Sequence, residues 1–308
     1  MSASQENGTR GDGVQGKGPR GATAASAFAI GLCDDAAVFP PGLAPLAEAV
    51  PAHRRHRGAA YAPFVGPLVL PVSALDELTP LLDDADGPLD LSVTAPGGPE
   101  QAGAALAVTP GLAVDLRGVE VAVPARTAPR DFFRALGAAR ADREDVPIYV
   151  EVPRDERRPE VIAGLAAVGL RAKFRTGGVT AELYPGPDEL AAAIIAAVAA
   201  DVPFKATAGL HHPVRNTDPE TGFDQHGFLN LLLATDAALA GRPVADLAAV
   251  LAERDAAAVA AGVAGLPGDR VAAARARFLS FGTCSITDPL TELADLGLLP
   301  AAIIEESR

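Results

Sequence analysis

At 308 residues the chain fits one α/β barrel or two small domains, and its 49% hydrophobic content is ample for a core. A net charge of −13 and a pI near 4.8 disfavour nucleic acid and anionic membrane surfaces, which reward clustered positive charge. Cys33 and Cys284 are too few for a disulfide framework and point to a reducing cytoplasm.

Residues 1–25 are polar and glycine-rich, lack the apolar stretch of a signal peptide and read as a disordered tail, leaving 26–308 as one barrel domain. No apolar run reaches the roughly 18 residues of a membrane span. A helix is expected at 43–50, and the basic run His53-Arg54-Arg55-His56-Arg57 reads as a solvated helix end, with an anion contact as the lesser alternative. A regular alternation follows: a strand within 61–71 and a helix at 73–82, then a strand at 89–95 and a helix at 99–108. Residues 112–116 and 119–124 read as two short strands before a helix at 129–140. Strands at 148–152, 170–176 and 202–208 are separated by helices at 159–168 and 187–200. Residues 226–264 hold more helix than one crossover needs, and a helix at 271–277, a short strand at 278–281 and a helix at 287–298 close the chain.

Repeated strand–helix units mean parallel strands joined by helical crossovers. Seven or eight such units, with no Gly-rich dinucleotide fingerprint after the first strand, favour a closed (β/α)8 TIM-type barrel with extra helices before its last strand.

Lysine is scarce: Lys17, Lys173 and Lys205 are the only three. Side chains alternate along a strand, so in RAKFR the apolar Ala172 and Phe174 turn to the helices and send Lys173 and Arg175 into the barrel lumen. The same rule sends Lys205 and Thr207 inward from FKAT, Tyr149 and Glu151 inward from IYVEV, and Glu120 inward from VEV. Barrel-filling ion pairs are the bland reading, but buried charge is costly and a chain built only for stability would use Val or Ile there. A lysine must be neutral to attack a carbonyl, and burial with a cationic neighbour favours that form. Lys205 and Arg175 are expected to supply that neighbour for Lys173, with Glu120 relaying protons through a water.

These residues resemble deoxyribose-phosphate aldolase and related class I aldolase barrels. AKFRTGG, followed 32 positions after its lysine by FKATAGLHHPVR, is similar to that family's Schiff-base strand and its second-lysine strand. IYVEVPRDERRPEVIAGLAAVG and FLSFGTCSITDPLTELADLGLL agree in order, the similarity running over roughly 112–300. The resemblance implies Lys173 as nucleophile, Lys205 as the group that lowers its pKa, Glu120 as acidic relay, and Gly282, Thr283 and Ser285 as an anion cradle. Arg175 with Thr176-Gly177-Gly178 departs from the family's small polar run. Ala208-Gly209, followed by Leu210-His211-His212, replaces its second glycine pair. A phosphorylated substrate is thereby put in question, and a carboxylate held by Arg175 or Arg215 is the alternative.

His211 falls in register with Lys205, Thr207 and Gly209 if the strand extends, which would bring it to the barrel mouth as an acid–base group. His226 is expected to open a helix at 227–240. A zinc site on His211-His212 is disfavoured because adjacent strand residues face opposite ways. Cys284 reads as a small buried residue without a base beside it, and Gly177-Gly178 as a turn first and an anion contact second. The expected function is a metal- and cofactor-independent Schiff-base lyase acting on a small carbonyl or anionic substrate. The alternatives are a non-covalent isomerase or decarboxylase acting on a small phosphate or carboxylate metabolite, and a non-catalytic anion-binding barrel. Whether the chain forms a homo-oligomer is left open by its sequence.

Overall fold

Period-two alternation shapes the strands, and prolines at the first turn start several of the helices between them. The computed structural model describes residues 24–305. The expected tail lies, up to residue 23, outside the described residues, whereas its last two positions open a short 3-10 helix, Ala24–Ala29.

The strands in chain order are β1 (Cys33–Asp35), β2 (Val65–Pro71), β3 (Leu89–Ala95), β4 (Val114–Ala122), β5 (Ile148–Glu151), β6 (Arg171–Arg175), β7 (Phe204–Thr207), β8 (Asn216–Thr217), β9 (Asp224–Gln225) and β10 (Phe278–Thr283). Eight of them close a parallel barrel in the order β1-β10-β7-β6-β5-β4-β3-β2, while β8 and β9 form a separate antiparallel hairpin. The helices are α1 (Leu46–Gly58), α2 (Leu75–Leu78), α3 (Pro99–Val108), α4 (Pro129–Ala139), α5 (Arg158–Val168), α6 (Pro187–Ala199), α7 (Phe228–Leu239), α8 (Val244–Ala252), α9 (Ala256–Ala264), α10 (Gly268–Arg277), α11 (Thr287–Asp295) and α12 (Ala302–Glu305). This is the (β/α)8 TIM-type barrel, with the extra helices α8–α10 set before its last strand. Among the described residues no helix is long and apolar enough to cross a membrane.

Three expectations change. The first strand, β1, was not anticipated. The two short strands expected at 112–124 are one, β4, because Arg117 is an extra residue in the ladder: Leu116 pairs with Leu91 and Gly118 with Ser92. The single helix expected at 73–82 is broken into a 3-10 turn, one turn of α2 and a second 3-10 turn.

The outward strand residues build the core against the helices. Phe204 stacks on Phe278 with ring centroids 5.6 Å apart and meets Phe174 at 5.2 Å, while Phe228 of α7 stacks on Phe281 at 4.4 Å. Each such buried aromatic contributes about 2 kcal/mol by removing apolar surface from water. Their outward placement fixes the phase of β6, β7 and β10 and so decides what faces the lumen.

The mouth of the barrel is drawn together where β6 and β7 end. Thr176 is fully buried, and its hydroxyl donates to the Ala208 carbonyl at 2.7 Å. Gly209 has φ +69°, and a Cβ there would lie 2.9 Å from the Tyr184 ring and 3.1 Å from Gly177 Cα. Gly209→Ala is therefore expected to destabilise the fold by roughly 1–3 kcal/mol, through left-handed backbone strain and the clash together. A urea midpoint equal to that of the unsubstituted chain would show that the two loops are not packed as described.

Candidate active site

The lumen holds a chain of alternating charges. Lys173 and Lys205 are register partners on β6 and β7, as Glu151 and Lys173 are on β5 and β6. Lys205 Nζ lies 2.5 Å from Asp34 Oδ2 and 2.7 Å from Glu120 Oε1. Lys173 Nζ lies 2.9 Å from Glu120 Oε2 and 3.2 Å from Glu151 Oε2. Arg175 Nε then meets Glu151 Oε1 at 2.8 Å. The sequence Asp34, Lys205, Glu120, Lys173, Glu151, Arg175 alternates in sign and sums to zero formal charge.

Exposure grades along that chain. The side chains of Asp34, Lys205 and Glu120 are 4%, 3% and 1% exposed, then Lys173 is 7%, Glu151 21% and Arg175 35%. Glu151 and Arg175 are the last residues of their strands, so the chain of charges runs from a sealed interior to the C-terminal mouth, where barrels of this type carry their sites.

Small residues make room and complete the hydrogen bonding. Ser92 Oγ donates to Glu120 Oε1 at 3.0 Å, and Ser280 Oγ donates to Asp34 Oδ2 at 2.8 Å. A Cβ at Gly66 would lie 2.1 Å from Asp34 Oδ1, so only glycine on β2 leaves space for that carboxylate. Tyr149 floors the group, its ring 5.4 Å from Lys205 Nζ and its hydroxyl accepting from Arg171 at 2.7 Å.

The carboxyls are driven in opposite directions. Burial pushes the Asp34 carboxyl above the usual carboxylate range, against the pull of Lys205. At Glu120 burial pushes the same way, but the ammonium groups of Lys205 and Lys173 outweigh it and hold the carboxyl well below that range. Glu151 is likewise lowered, with Lys173 and Arg175 overcoming its burial. At Lys205 burial works against the ammonium, yet Asp34 and Glu120 outweigh it and raise its pKa.

Of the residues read from the sequence, Lys173, Lys205, Glu120, Glu151 and Arg175 meet in the lumen as expected, with Thr207 paired to Arg175 across the register. The expected crowding of one cation on another is corrected: the carboxylate of Glu120 stands between the two lysines, and Lys205 is itself held as a cation by two acids. Thr176, Gly177 and Gly178 serve loop closure, since Gly177 abuts Gly209 and Tyr184 donates to the Gly178 carbonyl at 3.0 Å. Gly282 faces Thr207, whereas Thr283 and Ser285 spend their hydroxyls inside their own turn. Thr283 Oγ1 donates to Ser285 O at 2.8 Å, and Ser285 Oγ accepts from Asp288 N at 3.3 Å.

His211 does not extend β7. The chain turns at Ala208 and Gly209, both with positive φ, and the ring instead lies 3.4 Å from Cys284 Sγ, so that cysteine does have a histidine beside it. Arg215 is engaged outside the charge chain: it pairs with Asp224 of β9 at 3.2 Å and meets His226 at 3.3 Å. His53 is not solvated, because its buried ring lies 3.0 Å from Asp35 Oδ2. Asp34 and its serine partners escaped the sequence reading, although an acid pair inside the apolar run GLCDDAAVF was a usable signal.

No protein-family model matches the chain, and no curated protein matches it.

Two measurements check this geometry. Glu120→Gln removes the anion shared by both lysines and is expected to lower unfolding stability by about 3–5 kcal/mol, read from denaturant midpoints. His226 offers the second: its Nε2 donates to the Pro185 carbonyl at 2.8 Å and its Nδ1 faces Arg215, so the ring is held neutral, and burial pushes its pKa down from 6.5 to about 4. Below pH 6.5 the unfolded chain takes up a proton there that the folded chain refuses. Stability is thus full above that pH and falls by about 3 kcal/mol toward pH 4. His226→Gln should show a correspondingly smaller loss between pH 7 and pH 4, and an equal loss would assign the acid sensitivity elsewhere.

Proposed function

We propose that the lumen is the active site of a class I aldolase or lyase in which Lys173 forms a Schiff base with a small carbonyl substrate, and a carbon–carbon bond is then made or cut. The observation that carries this reading is the position of Lys173: buried among charges, yet next in the chain to Glu151 and Arg175 at the mouth. The order of its motifs, which resembles deoxyribose-phosphate aldolases, supports the same chemistry. The two free thiols, Cys33 and Cys284, suit a cytoplasmic protein.

Flanking carboxylates are compatible with covalent catalysis because the overall step conserves charge. An ammonium and a ketone or aldehyde give a protonated imine and water, and the imine nitrogen keeps the positive charge that Glu120 and Glu151 neutralise. Attack itself needs the amine to release a proton transiently and the carbinolamine oxygen to gain one before leaving as water. Glu120 and Glu151 touch Lys173, while Asp34, the carboxyl that burial pushes up, is joined to it through Lys205 and Glu120. Protons moved along that path have a carboxyl at its far end suited to hold one.

A second reading is favoured by the same double pairing: both lysines remain ammonium groups and stabilise a developing anion, as in a non-covalent isomerase or decarboxylase. Borohydride reduction in the presence of acetaldehyde or pyruvate separates the two. A reduced adduct mapped to Lys173, and absent in Lys173→Arg, is the expected result. No adduct with either compound, together with activity kept by Lys173→Arg on any substrate found, would leave only the non-covalent reading.

A further inference from the structure

Arg175 closes β6 at the open end of the charge chain, and its side chain is 35% exposed. One edge of its guanidinium is used on Glu151: Nε donates to Oε1 at 2.8 Å and Nη2 to Oε2 at 3.4 Å. A guanidinium carries five N–H donors in a planar fork, so a second edge, made of Nη1 and the other Nη2 hydrogen, remains. Among the described residues Nη1 has no partner. Glu151 therefore anchors Arg175 and leaves its outer edge for another planar anion.

The opposite side of that space is also prepared. Thr207 is the register partner of Arg175, and its hydroxyl has no partner among the described residues. Gly282 on the next strand lies beside that hydroxyl, where even a Cβ would stand in ordinary contact at 3.5 Å from Thr207 Oγ1. Arg175 and Thr207 stand two residues beyond Lys173 and Lys205 on the same strand faces, a rise of about 6.6 Å. A carbonyl carbon on Lys173 Nζ and a charge on Arg175 thus belong to one short molecule.

The other place expected to take an anion offers less to hold one. The start of α11 carries Asp288 in its first turn, the Ser285 hydroxyl already accepts from Asp288 N, and the Thr283 hydroxyl donates to the Ser285 carbonyl.

We propose that the substrate is a short oxo acid whose carboxylate is held by the outer edge of Arg175, with the Thr207 hydroxyl donating beside it. This rests on the Schiff-base reading of Lys173. The ammonium and the keto group give the protonated imine and water, with the substrate carboxylate unchanged, so the new negative charge is matched by the free edge of Arg175. The planar carboxylate fits that edge with two parallel N–H···O bonds.

Reductive trapping of the full chain with three probes tests this: pyruvate, acetaldehyde and glyceraldehyde 3-phosphate, each titrated with borohydride and read by peptide mass mapping at Lys173. Pyruvate is expected to half-saturate labelling at about tenfold lower concentration than either of the others, the advantage of one charge-assisted bidentate contact. In Arg175→Gln the ratio of pyruvate to acetaldehyde labelling should fall by about that factor, and Arg175→Lys should restore part of it. Equal labelling by pyruvate and acetaldehyde, preferred labelling by the phosphate ester, or an unchanged ratio in Arg175→Gln each overturns the oxo-acid assignment while leaving the Schiff base standing. No label from any probe overturns the Schiff-base reading and this inference with it.

Discussion

A charge removed from water must find an opposite charge at contact distance, and in this barrel that requirement organises the interior. Six ionisable groups occupy a lumen that apolar side chains would fill more cheaply, and they are tolerated because acids and bases alternate without a gap from Asp34 to Arg175. Glu120 is the hinge of the arrangement. Its two oxygens reach the two lysines separately, and without it two ammonium groups on neighbouring strands would face each other. The surrounding small residues follow from the same demand: Ser92 and Ser280 donate to carboxylate oxygens, and Gly66 gives Asp34 its volume.

The same neutralisation creates chemical asymmetry. Asp34 and Glu120 both touch Lys205, yet burial raises one carboxyl while two ammonium groups hold the other down. Carboxyls whose environments separate them in this way are suited to different proton-transfer roles. The gradient in exposure adds direction, from a sealed end at Lys205 to a half-open end at Arg175. The gradient suits the proposed site, which would exchange protons internally and substrate externally.

How much of this was legible in the sequence depends on how local the governing rule is. The strands RAKFR, FKAT and IYVE alternate cleanly, so Lys173, Lys205, Glu151 and Arg175 could be assigned to the lumen from phase alone. Glu120 followed from the same rule even though the bulge at Arg117 hid the continuity of β4, because the phase is restored after the extra residue. Asp34 was missed because β1 is only three residues long, too short to show a period, and its neighbour Asp35 turns the other way to reach His53. The register expected for His211 failed because the backbone turns at Ala208 and Gly209, although the ring still lies beside Cys284 just past the end of β10, and the pairing of Arg215 with Asp224 arrives only through the β8–β9 hairpin. Register and phase were readable; pairings made by loops were not.

The distribution of cation types sharpens the functional reading. Two of the three lysines are in the lumen, the third, Lys17, lying outside the described residues, while arginine serves most of the described ion pairs elsewhere, such as Arg154 with Glu189 and Arg57 with Asp90. Either cation can neutralise a carboxylate, and arginine does it with a more weakly hydrated, bidentate group that is the usual choice for buried pairs. A chain that prefers arginine almost everywhere, and uses lysine where arginine would be the better structural partner, has chosen the one cation able to lose its proton and become a nucleophile. Arg175 at the mouth fits the complementary role, since it keeps its charge and offers a planar edge. On the proposed Schiff-base reading the inner nitrogens would handle protons and bonds, and the outer one recognition.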